Sequence, residues 1–159
     1  MTIKEVLENK VDVKAGKLPY GVYLEIREIV ITKDKDDAKA VVSIFKALHE
    51  DFELSSQDFL NLKLQKYFEE ICNGILHWIT LESKMLAYTP TDAQLRAGIK
   101  ELSEKVGDFG TVKALAKQFN KDPDEILKEW DYAKVFLILY SDLEEYKYQE
   151  KYNKIITST

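Results

Sequence analysis

From Leu60 to Ile79 the apolar residues Leu60, Leu64, Tyr67, Phe68, Ile71, Ile75, Trp78 and Ile79 recur at three- and four-residue intervals. That period traces one face of an α-helix, whereas a strand would alternate every second residue. The pattern therefore predicts a long amphipathic helix, opened by the Ser55-x-x-Asp58 pair as a weak capping box and running to about Met85. Gly74 inside it costs about 1 kcal/mol relative to alanine and is expected to mark close packing of another element. A helix of that length with a broad apolar face needs other helices to cover it. With only 6 Gly and 3 Pro, the chain is short of the residues that a turn-rich all-β fold consumes. At 159 residues it can bury roughly 70% of its unfolded surface, so it needs no covalent staples.

The flanking stretches repeat the helical period. Thr2 to Asn9 reads as one or two amphipathic turns, followed by a turn-rich stretch from Lys10 to Leu18. From Tyr20 to Thr32, Val22, Tyr23, Ile26, Ile29 and Val30 share a face, although partial alternation and β-branching keep a strand open. After a charged break at Lys33 to Asp37, the stripe Ala38, Val41, Val42, Phe45 and Leu48 marks another helix. Thr89-Pro90-Thr91 divides the chain, because Pro90 disfavours helix at Thr89 and Thr91-x-x-Gln94 is a capping box. Leu95, Ile99, Leu102 and Val106 then form a stripe that Gly107 ends, and Val112, Leu115, Ala116 and Phe119 face inward in a short helix. Asp122-Pro123 starts the next helix and Asp131 the last, which runs from Tyr132 to about Tyr152. The expected fold is an all-α bundle of six or seven helices. Residues 1–88 form a helical region around the long central helix, and residues 89–159 form a partly separate helical subdomain.

Most chemistry is absent from the pattern. The single cysteine, Cys72, excludes an intramolecular disulfide and suits a reducing compartment. No Glu-x-x-His pair accompanies His49 or His77, and Cys72 and His77 are five residues apart, so they do not converge on one ion. Burial of Cys72 in an apolar stripe would raise its pKa rather than activate it. Gly16-Lys-Leu-Pro-Tyr-Gly21 has the glycine spacing of a phosphate loop, but Val22 stands where lysine is needed and Pro19 removes an amide donor. The expectation is a non-enzymatic protein with no metal and no cofactor. No apolar run approaches the roughly 20 residues of a membrane span, and no signal-peptide pattern opens the chain, so a cytoplasmic protein is expected.

The net charge of −5 argues against nucleic acid. Val112 to Trp130 has the outline of a helix-turn-helix, yet Asn120 replaces the usual turn glycine. Asp122, Asp124, Glu125, Glu129 and Asp131 also outweigh Lys128 across the would-be recognition helix. Aromatic residues crowd the last helix instead. Trp130, Tyr132, Phe136, Tyr140 and Tyr146 are the candidate partner-binding residues, since aromatic rings with polar tips favour interfaces.

Three segments carry a resemblance. Leu115-Ala116-Lys117-Gln118-Phe119, then Asp122 to Leu127, then Trp130 to Phe136 with Leu143-Glu144-Glu145-Tyr146, together resemble the C-terminal part of tail assembly chaperones of long-tailed bacteriophages. The Lys17-Leu18-Pro19-Tyr20-Gly21 segment is loosely similar to small phage tail proteins. The resemblance implies a small helical protein of the host cytoplasm that binds the tape-measure protein or tail-tube subunits before the tail polymerises. A structural tail or neck component and a DNA-binding regulator remain the alternatives, and homo-oligomerisation stays open.

Overall fold

The structure is a computed structural model that describes residues 15–32, 38–49 and 53–157. Within these residues the chain forms seven α-helices and no strand: α1 (Tyr20–Thr32), α2 (Ala38–Leu48), α3 (Leu62–Met85), α4 (Asp92–Arg96), α5 (Ile99–Phe119), α6 (Pro123–Glu129) and α7 (Tyr132–Thr157). Short 3₁₀ turns at Ala15–Lys17 and Asp58–Leu60 precede α1 and α3. The expected helices at Thr2 to Asn9 and the charged break at Lys33 to Asp37 lie outside the described residues. No described helix is long and apolar enough to cross a membrane.

Helix α1 is the hub, in contact with α2, α3, α6 and α7. This explains its mixed pattern. Tyr20, Tyr23, Ile26 and Ile29 are buried at three-residue steps, while Val22, Leu24 and Val30 are half-buried against neighbours on its other sides. A helix covered on several sides is apolar nearly all round, and its sequence then alternates by accident as a strand would. Beside α1, the chain at Pro19 pairs with Asp131 in one antiparallel bridge. Tyr20 N–H donates to the Trp130 carbonyl (2.8 Å) and Tyr132 N–H to the Leu18 carbonyl (2.9 Å), which pins the start of α7 to the start of α1. The glycines that mimicked a phosphate loop serve close packing here. A Cβ on Gly16 would lie 2.8 Å from the Trp78 ring, and one on Gly21 would lie 3.1 Å from the Leu127 carbonyl oxygen.

Helix α3 ends at Met85 as expected but begins later than the sequence suggests. The Asp58 carboxylate accepts the Ser55 N–H (2.6 Å) and closes a 3₁₀ turn, and Asn61 is the true cap, accepting from Lys63 N–H (3.0 Å) and Leu64 N–H (3.3 Å). Leu60 therefore stands outside the helix and is exposed, whereas Leu64, Tyr67, Ile71, Cys72 and Ile75 are buried. In α2 the buried side is carried by Ala40, Ile44 and Phe45, so the stripe is rotated from the expected one and Ala38 is exposed. Thr91 and Gln94 form the full capping box of α4. Asp122 caps α6 (2.8 Å to Asp124 N–H), and Asp131 accepts Lys134 N–H (2.8 Å) at the start of α7. One hydrophobic cluster contains residues from both sides of Thr89-Pro90-Thr91, from Tyr23 and Ile71 to Leu115 and Val135.

The largest departure is at residues 95–107. The expected continuous helix breaks at Gly98 (φ 83°), and Leu95, Leu102 and Val106 are exposed. At Gly107 the backbone leaves helical geometry (φ 48°, ψ −142°), so α5 is bent there in accord with the expected stop. That backbone region is essentially confined to glycine. A Cβ at Gly107 would meet nothing within 4 Å, so conformation and not space demands the residue.

Candidate partner-binding site

The five aromatic residues singled out from the sequence fall into different environments. Trp130 is buried, edge-on to Phe119 (5.2 Å) with the Lys134 ammonium 3.6 Å over its ring. Tyr132 is 2% exposed and stacks flat on Tyr23 at 3.5 Å. Phe136 is buried with its ring edge-on to Trp78 at 5.1 Å. These three hold the core, and a partner could reach them only by unfolding it. Tyr140 is half-buried, and Tyr146 is 39% exposed.

Around Tyr132 lies a polar latch that the sequence reading missed. Glu82 of α3 accepts the hydroxyls of Tyr23 (2.9 Å) and Tyr132 through one carboxylate oxygen and faces the Arg27 guanidinium (3.6 Å) with the other. Arg27 also binds Asp108 at 2.6 Å, and its Nε is buried without a partner. Four helices thus meet on three charges, Arg27, Glu82 and Asp108. Burial first, then Asp108, pushes Tyr20 up to about 12; burial, followed by Glu82, raises Tyr23 and Tyr132 further. Tyr23 and Tyr132, held in the neutral form, remain donors to Glu82 near neutral pH. The signal for Glu82 was legible: it falls on the stripe Leu64, Ile71, Ile75, where the next inward residue belongs.

His49 is likewise buried, its ring nitrogen 3.1 Å from the Tyr67 hydroxyl, while His77 is exposed on α3. Among the described residues no group of three or more His, Cys, Asp or Glu is placed to hold a metal ion.

An open apolar groove of about 340 Å³ lies in the bend of α5, lined by both halves of that helix and by Leu139 and Asp142 of α7. Ile99, Leu102, Val106 and Leu139 form its walls, and Gln118 bonds Asp142 at 3.3 Å at its edge. Leu102 is 55% exposed and Val106 41%. The bend at Gly107 and the left-handed Gly98 frame this segment at its two ends. Farther along α7, Tyr146 meets Tyr88 edge-on at 5.6 Å with the hydroxyls 3.4 Å apart, and Tyr88 in turn donates to Gln94. The bond with Tyr88 holds Tyr146 above the ordinary tyrosine value. The groove is apolar along Ile99, Leu102, Val106 and Leu139, with Ser103, Thr111, Gln118 and Asp142 as its polar lining.

Helix α6 packs on α1 with Ile126 buried, and its exposed side carries the Asp124–Lys128 pair (3.7 Å) and Glu129. No protein-family model, no curated protein and no solved structure matches this chain.

Proposed function

We propose that this protein is a non-catalytic assembly factor that binds a helical segment of a partner, in the manner of a phage tail assembly chaperone acting in the host cytoplasm. The observation that carries the reading is the exposed stripe Leu102 and Val106, which has helical core spacing yet no core to enter and instead lines the α5–α7 groove. Exposed apolar residues at that spacing are what an amphipathic helix covers on docking. The resemblance of residues 112–146 to tail assembly chaperones names the partner class: the long helical tape-measure protein, or a tail-tube subunit. The acidic chain supports the reading as well, because net charge keeps a complex with an apolar client in solution.

Among the residues first singled out, Tyr146 and Tyr140 are those left accessible or partly so, and Trp130, Tyr132 and Phe136 support the helix that carries them. The test is co-expression with a tape-measure protein followed by affinity capture. Leu102→Glu and Val106→Glu replace exposed residues and should leave the far-ultraviolet circular dichroism unchanged while abolishing capture. Tyr140→Ala and Tyr146→Ala should weaken it, each interface anchor being worth roughly 2 kcal/mol. Folded groove variants that capture the partner as well as the parent would refute the groove. A tight gel-shift with duplex DNA would move the assignment to the regulator alternative.

A further inference from the structure

The groove uses only one side of α7. At about 100° per residue, Tyr132, Val135, Phe136 and Leu139 cluster on the side that faces the core and the groove. Leu137, Tyr148 and Tyr152 cluster on the opposite side. Leu137 is 62% exposed, Tyr148 67% and Tyr152 47%, and the two tyrosine rings stack at 6.4 Å. After Phe136 no described residue of α7 is buried. A helix that packs by one face has no structural use for a second aromatic stripe on its back.

We propose that this outer stripe pairs with the same stripe of a second copy of the chain, the two α7 helices running antiparallel. Charge decides the occupant and its direction. Asp142, Glu144 and Glu145 precede Tyr146, and Lys147, Lys151 and Lys154 follow it with Glu150 among them, so the exposed half of α7 is acidic at one end and basic at the other. Such a helix complements itself only when reversed. Glu144 and Lys151 are two turns apart and therefore share one flank of the stripe. A twofold axis crossing between them, beside Tyr148, sets Glu144 of each copy next to Lys151 of the other, twice over, as an isologous interface requires. Parallel pairing would set Glu144 beside Glu144 and Lys151 beside Lys151. Glu144 already accepts Lys147 of its own helix at 2.8 Å, with both side chains about half exposed, which leaves its second oxygen for the other copy.

With the axis beside Tyr148 the two α7 helices overlap over residues 138–157, about 29 Å, and Leu137 lies just beyond the overlap. A two-helix contact of that length sits at the small end of stable interfaces, on the order of 1,000 Å², so the dimer should dissociate on dilution. The partner-binding groove lies on the other side of α7 and stays open in the dimer. The inference therefore stands or falls independently of the proposed function.

Sedimentation equilibrium of the full chain tests it, over roughly 1–200 µM, a range that brackets micromolar dissociation constants. The parent should show a monomer–dimer equilibrium. Tyr148→Glu, Lys151→Glu and Glu144→Lys should each raise the dissociation constant about tenfold or more. The double swap Glu144→Lys/Lys151→Glu restores opposite charges across the twofold axis and should return to within about threefold of the parent. All three positions changed are exposed, so circular dichroism should match the parent throughout. A chain that stays monomeric over this range would overturn the proposal. So would a dimer indifferent to Tyr148→Glu, or a double swap as weak as the single variants.

Discussion

Replacing Glu82 by leucine removes the acceptor on which α1, α3 and α7 converge. The variant keeps the volume near the stripe but strands the hydroxyls of Tyr23 and Tyr132, both essentially fully buried, and leaves Arg27 with Asp108 alone. A buried donor without its partner costs about 1–3 kcal/mol. Two phenols plus a weakened Arg27 therefore place the loss at roughly 3–5 kcal/mol, out of a stability of about 5–15 kcal/mol typical of natural domains. Tyr132→Phe removes one donor and preserves the ring stacked on Tyr23 and the edge contact with Trp78. Glu82 then keeps Tyr23, Arg27 and some water, its side chain being 21% exposed, so the loss should be about 1.5–2 kcal/mol. Urea denaturation followed by tryptophan fluorescence is the assay, since Trp78 lies 5.0 Å from the Tyr132 ring and reports the latch directly. Thermal melts should fall by about 2–4 °C per kcal/mol at this chain length. A Glu82→Leu variant within about 0.5 kcal/mol of the parent, the range of an ordinary surface change, would show that ring stacking holds these helices without the carboxylate.

Three further outcomes are expected. Tyr20, Tyr23 and Tyr132 have folded-state values raised above the unfolded value of about 10, so their contribution is complete below pH 10 and is lost as pH climbs beyond it. Absorbance at alkaline pH should show these three phenols ionising only with unfolding, and independent early ionisation would refute their burial. Burial lowers His49, so its neutral ring supports the fold above about pH 6.5 and the support fades as pH falls through its folded value. The acid limb of stability near that pH should flatten in His49→Phe, and an unchanged limb would count against it. Gly107→Ala should cost roughly 1–3 kcal/mol through backbone strain alone, and a variant as stable as the parent would mean that α5 is free to straighten.

The helical class and most helix starts were legible because they rest on local chemistry. The Asp122-Pro123 start, the Thr91–Gln94 box and the Asp131 cap are bonds made within four residues, and each forms as the sequence suggests. Ser55-x-x-Asp58 shows the limit of that logic. Its local bond forms, but Asn61 competes three residues later, and only packing of Leu64 and Tyr67 decides which cap begins the helix. Periodicity also states that a stripe is apolar, not that something covers it. Ile71 and Leu102 occupy equivalent positions in their patterns, yet one is fully buried and the other lines an open groove. The difference lies in tertiary neighbours, which spacing does not encode.

The aromatic residues of α7 carry this point to function. Their number alone suggested one binding surface, whereas the helix divides them among three tasks by angle and depth. Tyr132 and Phe136 face inward beside Trp78, where stacking and the Glu82 bond make them indispensable to folding. Tyr146 sits on the same side but farther along the helix, past the reach of the core, where it meets Tyr88 at the surface. Tyr148 and Tyr152 are rotated to the back, where among the described residues nothing but their own mutual stacking covers the rings. The residue type is the same in each case because a tyrosine offers a broad apolar ring and one polar tip. What decides whether that tip satisfies a buried carboxylate, meets a second tyrosine at the surface or faces solvent is the distance travelled along a helix that outlasts its own core. A helix of this kind packs by its first half and leaves its second half exposed.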